Sequence, residues 1–225
     1  MVTKPKSLMI LLIICTNISL FGQVAEFFGG INDNIFFDRE DNAGHYSSSY
    51  KSGYGFCAGI GIDSVKADWL LLRFSLKFDN YSGELHVSNG GNGGGSTTDA
   101  KIEKSIISLG IYPANFCLFH KLHINLGIEA SWLISETFSG TNSGWIYGGS
   151  TWNYNLKDKF NKLNASKYSS LCGSISYDIR VSSSIMIAPQ YTFHYGLTAD
   201  FEQLSLEARS MRHTACLEVK WKFRK

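Results

Sequence analysis

Proline is scarce in this 225-residue chain, at three residues, and charge is thin: Asp, Glu, Lys and Arg make up 18%, against about 25% in an ordinary soluble domain. Few prolines leave long strands uninterrupted, and few charges leave little surface for bulk water. Neither sign of charge dominates, the formal net charge being +2, so the electrostatic footprint of nucleic-acid binding is missing. Apolar runs are short as well. Leu8 to Ile14 falls below the ~20 residues of a spanning helix, which leaves strands as the route into a bilayer. No cysteine pair has the CxxC spacing of a metal site. The stretch "NGGNGGG", Asn89 to Gly95, lacks the lysine and the strand–loop–helix setting of a phosphate loop and reads as a flexible loop tip.

The N-terminus, "MVTKPKSLMILLIICTNISLFGQ", reads as an export signal: Lys4 and Lys6 form a basic start, Leu8 to Ile14 the apolar stretch, and Gly22 before Gln23 a cleavage point. Residues 1–22 are therefore expected to leave the mature chain, and residues 23–225 to form one barrel domain. Cys15 does not suit lipoprotein processing, which wants a small preceding residue where Ile14 stands. Losing Lys4 and Lys6 and no acid takes the formal charge from +2 to 0. The remaining Cys57, Cys117, Cys172 and Cys216 read as small packed thiols, although an exported chain also permits a Cys172–Cys216 bridge.

What the chain does have is alternation. "LLLRFSLKF" places Leu70, Leu72, Phe74, Leu76 and Phe78 at every second position with Arg73, Ser75 and Lys77 between them, the pattern of a strand with one apolar and one polar face. Eight such segments are read: 26–37, 52–63, 69–81, 102–118 with a slip at Pro113, 122–134, 168–181, 185–197 and 213–223. Their connections alternate in length. Those at 63–67, 119–121 and 182–184 are tight, whereas 38–51, 82–101, 137–167 and 198–209 are long. Short turns on one side and long loops on the other are the arrangement of an eight-stranded antiparallel up-and-down transmembrane β-barrel, all-β in class.

Alternation alone does not say which face is wet, since a soluble lipocalin-like barrel puts its apolar set inside. The polar set decides. Gly53, Gly55, Cys57, Gly59 and Gly61 make a poor water-facing surface but suit a narrow lumen. Arg73, Lys77, Arg180 and Lys220 share that face with Glu129, Asp178 and Glu218, which predicts an enclosed ion-pair network. Arg or Lys on the lipid face at midplane would cost about 2–4 kcal/mol each. Segments of about 12 positions exceed soluble strands and match the ~9–11 residues a tilted strand needs to cross a bilayer. Trp69, Trp221 and Phe223 are expected at one interface, and Tyr81, Phe138, Tyr168 and Tyr195 at the other.

No catalytic, cofactor-binding or metal-ligating motif is read. His45 with Asp41 or Ser47, and His194 with Ser176 or Glu129, are the only groupings resembling a nucleophile and base, and neither carries a diagnostic signature. His120 and His123 sit on a turn and a strand, not on one helix face. The richest contact surface is 137–167, where Trp145, Tyr147, Trp152 and Tyr154 mix with lysines. Such a mixture suits a glycan, lipopolysaccharide or a protein partner; packing against neighbouring loops, or a hairpin extended above the membrane, accounts for it equally. The expected role is a non-enzymatic envelope or surface-interaction barrel, with a lipid-modifying enzyme, a passive pore and an exported soluble binding barrel as alternatives.

"LLLRFSLKF", the Pro113 segment followed by "KLHINLGIEASWLI", "IMIAPQYTFHYGL" and the closing "LEVKWKF" together resemble the small outer-membrane β-barrel proteins grouped as PorT-like or OmpX/OmpA-like. The resemblance implies the outer membrane of a diderm bacterium, with membrane lipid and lipopolysaccharide as surroundings and a monomeric state. It also implies recognition of the last strand, ending in Trp221 and Phe223 ahead of Arg224 and Lys225, by the outer-membrane assembly machinery.

Overall fold

Strict alternation over long stretches yields long strands here, and those strands close on themselves. The computed structural model describes residues 24–38, 46–67, 70–156, 167–200 and 208–223; the expected export signal and Trp69 lie outside them. Its strands are β1 Val24–Asp38, β2 Tyr46–Ala67, β3 Leu70–Gly91, β4 Gly94–Leu118, β5 Leu122–Ile146, β6 Ser150–Asn155, β7 Lys167–Tyr177, β8 Ile179–Arg180, β9 Ile185–Gly196 and β10 Ala208–Lys222. Each ladder is antiparallel. β10 pairs with both β9 and β1, so the sheet has no seam. Eight strands make the ring, while β6 pairs β5 above it and the short β8 pairs β9 below it. Among the described residues no helix is long and apolar enough to cross a membrane.

Two of the expected long loops are strand instead. β3 and β4 run on through 82–101 to a tight turn where Gly91 faces Gly94, and β5 continues to Ile146 and folds back as β6. The turns at the opposite end are short. The one after β4 uses Phe119 and His120 at positive φ (52° and 57°) and is closed by the Lys121 amide donating to the Leu118 carbonyl. The slip expected at Pro113 is a bulge: β4 carries one extra residue between Ile111 and Ala114.

In the lower ring the apolar set faces outwards. Ile31, Ile60, Leu126, Ile128 and Leu217 are each more than half exposed, and the ladder hydrogen bonds of a closed ring leave no unpaired edge beside them. The outward set of β5, Leu126 to Ile134, covers about the 9–11 residues of a bilayer crossing. The glycines of β2 serve the inside. A Cβ at Gly59 would come 2.4 Å from the Phe28 ring, and one at Gly61 2.7 Å from the Glu26 carboxylate. β1 lays its large inward side chains across these glycines, which is how a narrow lumen admits them.

Above this belt the faces exchange character. In β3 the inward positions are Arg73, Ser75, Lys77 and Asp79, then Tyr81 and Leu85, while Glu84 and His86 turn outwards. β4 does the same, with Ala100, Ile102 and Ile106 inside and Lys101 and Glu103 outside. β5 gains an extra residue at the same level, between the partners of Ser105 and Ile106, which turns Phe138 inwards. The result is an apolar cluster of Phe36, Tyr81, Leu85, Ile102, Phe138 and Leu156, with others, that fills the barrel's outer extension as a soluble core would. Tyr81 and Phe138 therefore do not form an interfacial girdle: inward parity puts them in this core, with Tyr168 packed against it. Tyr195 does face outwards, and Trp221 stacks on Phe223 at the other end (ring centroids 5.9 Å).

The position of the belt makes a prediction. Ile128→Lys should destabilise the barrel by about 2–4 kcal/mol, whereas Lys101→Ile, on the outward face of the extension, should change stability by less than about 0.5 kcal/mol. Reversible urea unfolding in lipid vesicles measures both.

Candidate functional site

The barrel interior collects the ionic side chains that parity turns inwards. Arg73 donates through Nε to Glu26 (2.7 Å) and through Nη2 to Glu218 (2.6 Å), with side chains that are almost wholly buried. Gln190, with its amide oxygen turned to the guanidinium, accepts from Nη1 at 2.9 Å. Lys220 bridges Asp178 (2.9 Å) and Glu218 (3.4 Å), and His123 meets Asp178 from the other side at 3.0 Å. Higher up, Lys77 pairs with Asp79 (3.0 Å) and Glu129 (3.1 Å), and Arg212 also reaches Asp79 (3.0 Å). At the top Lys104 meets Asp200 at 3.2 Å. Each buried Lys or Arg among the described residues thus lies against a buried carboxylate, as burial of a charge requires. Lys104 stands in the extension, where burial pulls its ammonium below the ordinary lysine value against the opposing attraction of Asp200.

Six of the seven residues expected in this network lie inside: Arg73, Lys77, Glu129, Asp178, Glu218 and Lys220. Arg180 does not. The register against β9 runs on through Arg180, which faces Met186, but β5 ends opposite Tyr177, so both residues of β8 lie at the rim, past the enclosed lumen, and are exposed beside the 181–184 turn. Glu26, Asp79 and Arg212 complete the network and were legible in principle. Glu26 shares the even, inward parity of Asn32, Asn34 and Phe36, Asp79 follows Lys77 by two, and Arg212 precedes Thr214 by two. Asp200 comes in from beyond the last residue of β9, and no alternation announces it.

Glu129, Cys172 and His194 form a buried trio that resembles either a metal site or a nucleophile with its base. Its geometry suits neither. His194 Nδ1 faces both Cys172 Sγ (3.2 Å) and Glu129 (3.3 Å), whereas Nε2 faces the Lys77 ammonium (3.2 Å). A relay needs nucleophile and orienting carboxylate on opposite ring nitrogens. Here both Cys172 and Glu129 stand on Nδ1 while Lys77 lies against Nε2, and the Glu129 oxygen that a metal at Nδ1 would need is already paired with the Lys77 ammonium (3.1 Å). Ser176, the other partner expected for His194, lies on the inward face of β7 with its hydroxyl lacking a hydrogen-bond partner; of the second grouping, His45 and Asp41 lie outside the described residues. Cys172 and Cys216 remain separate thiols; Cys216 instead meets Cys57 across Gly30 of β1, with sulfurs 3.3 Å apart.

The four aromatics expected to make outside contacts divide. Trp145, at the end of β5, is 48% exposed and Tyr147, in the β5–β6 turn, is 82% exposed. Trp152 is half-buried, its indole donating to Asn142 at 2.8 Å. Tyr154 packs against the apolar core.

A seamless antiparallel ring with an apolar outer belt and enclosed ion pairs defines a small outer-membrane β-barrel. No protein-family model matches the chain, and no curated protein does. Solved structures resemble it over nearly its whole length. The outer membrane protein OprG from Pseudomonas aeruginosa is 12% identical, with 91% of this chain and 97% of that one covered and a TM-score of 0.42. Neisserial surface protein A is 16% identical over 88% and 97%, with a TM-score of 0.39. Ail, the attachment invasion locus protein of Yersinia pestis, is 8% identical over 89% and 99%, with a TM-score of 0.37. At such identities and scores, assignment to the class rests on the ring, the belt and the lumen of this chain.

Arg73→Met would leave Glu26 and Glu218 buried without their common partner. It should lower stability by about 3–5 kcal/mol, whereas Lys51→Met, which removes an exposed pair with Glu84 (3.5 Å), should cost about 0–1 kcal/mol. The urea midpoints of the two variants provide the comparison.

Proposed function

We propose that this outer-membrane barrel is a non-enzymatic, non-conducting recognition protein, which presents the strand extension above its belt as a rigid surface for contacts outside the cell. The observation that supports this reading is how the two regions are filled. In the lower ring a lattice of ion pairs occupies the lumen, and the space left between Arg73, Lys77, Glu129 and His194 is about 20 Å³, room for about one water. The extension, by contrast, is a sheet of β2 to β6 with its own apolar core and a polar outer face. A through-pore needs the first region open, and a binding surface needs the second rigid.

In this reading lipid and lipopolysaccharide surround the belt, the assembly machinery receives the closing strand with Trp221, and the barrel acts as a monomer. The export signal at residues 1–22 delivers it. The test is reconstitution of the full mature chain in planar bilayers, together with incubation of the same preparation with lipopolysaccharide. The expected results are no porin-sized conductance steps and unchanged acyl chains and phosphates by mass spectrometry. Porin-sized steps, or removal of a lipid group, overturn the reading.

A further inference from the structure

The outward face of the extension is ordered in rows across its strands. Nearest the belt, charges pair with one another: Lys51 with Glu84 (3.5 Å), Lys101 with Glu103 (2.6 Å) and His86 with Asp99 (2.5 Å). Further out, among the described residues, the charges stop. Ser47, Ser88, Thr97, Ser143 and Asn153 are successive cross-strand partners from β2 to β6, a single row of hydroxyl and amide groups. The next row reads Gly90, Gly95, Trp145 and Thr151. A Cβ on Gly95 would come 3.2 Å from the Trp145 indole nitrogen, and one on Gly90 would meet nothing within 4 Å. The indole therefore lies beside a low, open strip of backbone.

We propose that this face binds an uncharged oligosaccharide, laid across the outer ends of β3 to β6 with Trp145 as its stacking platform. The inference rests on the recognition reading above and gives that surface a ligand class. A sugar ring offers an apolar C–H face and a rim of hydroxyls, and the matching surface is an aromatic face flanked by neutral donors and acceptors. The cleft here, about 700 Å³ and bounded by Ser88, Thr97, Ser143, Trp145 and Asn153 among others, has no Asp, Glu, Lys, Arg or His among the described residues that line it. Its size falls within the ~300–1,000 Å³ of small-ligand sites.

The chemistry narrows the choice of ligand. An anionic polymer would seek cations arranged to meet it, and among the described residues the cations beside this face, Lys51 and Lys101, are already paired with carboxylates nearer the belt. A protein partner would seek an apolar centre, whereas this lining is largely Ser, Thr, Asn and Gly. The platform is also tied in place. Trp152, which borders the same cleft, donates to Asn142 (2.8 Å), which donates to Thr98 (2.6 Å), tying β6 through β5 to β4. Little ordering is left to oppose binding.

The test titrates the full mature barrel in detergent with cellohexaose, maltohexaose, laminarihexaose and chitohexaose, with dextran sulfate as the anionic comparison, and reads tryptophan fluorescence and calorimetry. At least one neutral hexaose should saturate at millimolar concentrations or below. Trp145→Ala should weaken it by about tenfold or more, the loss of one stacking contact of roughly 1.4 kcal/mol. Trp145→Tyr should retain most of the affinity, and Thr97→Val should weaken binding several-fold. All three variants should keep the heat-modifiable gel mobility of the wild type, which separates lost binding from lost folding. Absence of binding to every neutral hexaose, binding indifferent to Trp145→Ala, or binding of dextran sulfate alone overturns the inference. Any of these in a barrel that remains closed to ions leaves the recognition reading standing, whereas porin-sized conductance would remove that reading first.

Discussion

A strand locked into a closed antiparallel ring cannot turn one side chain around without adding a residue. That constraint governs the whole molecule. Once β10 pairs with both β9 and β1, each position belongs either to the lumen or to the outside, and the amino acids at alternate positions decide what each surface is. In the lower ring they make it apolar outside and ionic inside. In the extension they make it polar outside and apolar inside. The bulges in β2, between Ser52 and Phe56, and in β5, opposite Ser105 and Ile106, adjust parity near the level where this exchange takes place. β3 and β4 achieve it with no bulge there, through the residues alone. The border between the two regimes marks where the surroundings change from acyl chains to water.

The ionic lumen follows from the same constraint. Eight strands leave little interior volume, and glycines on β2 yield that volume to Glu26, Phe28 and Asn32 from β1. Charges confined there are removed from bulk water, so each must find a partner. The lattice from Lys220 through Arg73 and Lys77 to Arg212 draws those partners from β1, β3, β5, β9 and β10 and from Asp178 between β7 and β8. Such a lattice is a specificity device as much as a stabilising one: a register slip of one residue would turn Arg73 and Lys77 to lipid and Leu72 and Phe74 into a charged interior. His194 belongs to this lattice, and its two nitrogens are taken up by Lys77 and by Glu129 with Cys172.

The extension exists because hairpins carry the sheet beyond the membrane and give it a core of its own. Phe36, Tyr81, Leu85 and Phe138 support the sheet from within, so its outer face holds a fixed shape. Rows of paired charge lie near the membrane and rows of neutral hydroxyls lie beyond it. The outer face of the sheet is thus backed by a packed core and, among the described residues, uncharged at its tip, with Trp145 half exposed upon it.

Alternation by itself determined the class of fold, the strand positions within the belt, the bulge at Pro113 and the inward direction of Arg73, Lys77, Glu129, Asp178, Glu218 and Lys220, because period-two patterning is a local property read along one strand. The extension was written in the same code, Tyr81, Gly83, Leu85 and Val87 against Ser82, Glu84 and His86, but with the polarity of the faces reversed, so it read as a loop. Arg180 keeps its pairing with β9 but lies past the end of β5, where alternation no longer distinguishes lumen from solvent. Tertiary structure alone decided which charges meet, that Cys57 faces Cys216 across Gly30, and that Trp145 stands at the end of a hydroxyl row. These depend on the register of strands far apart in the chain, and cross-strand register is set by closure of the ring rather than by any single segment.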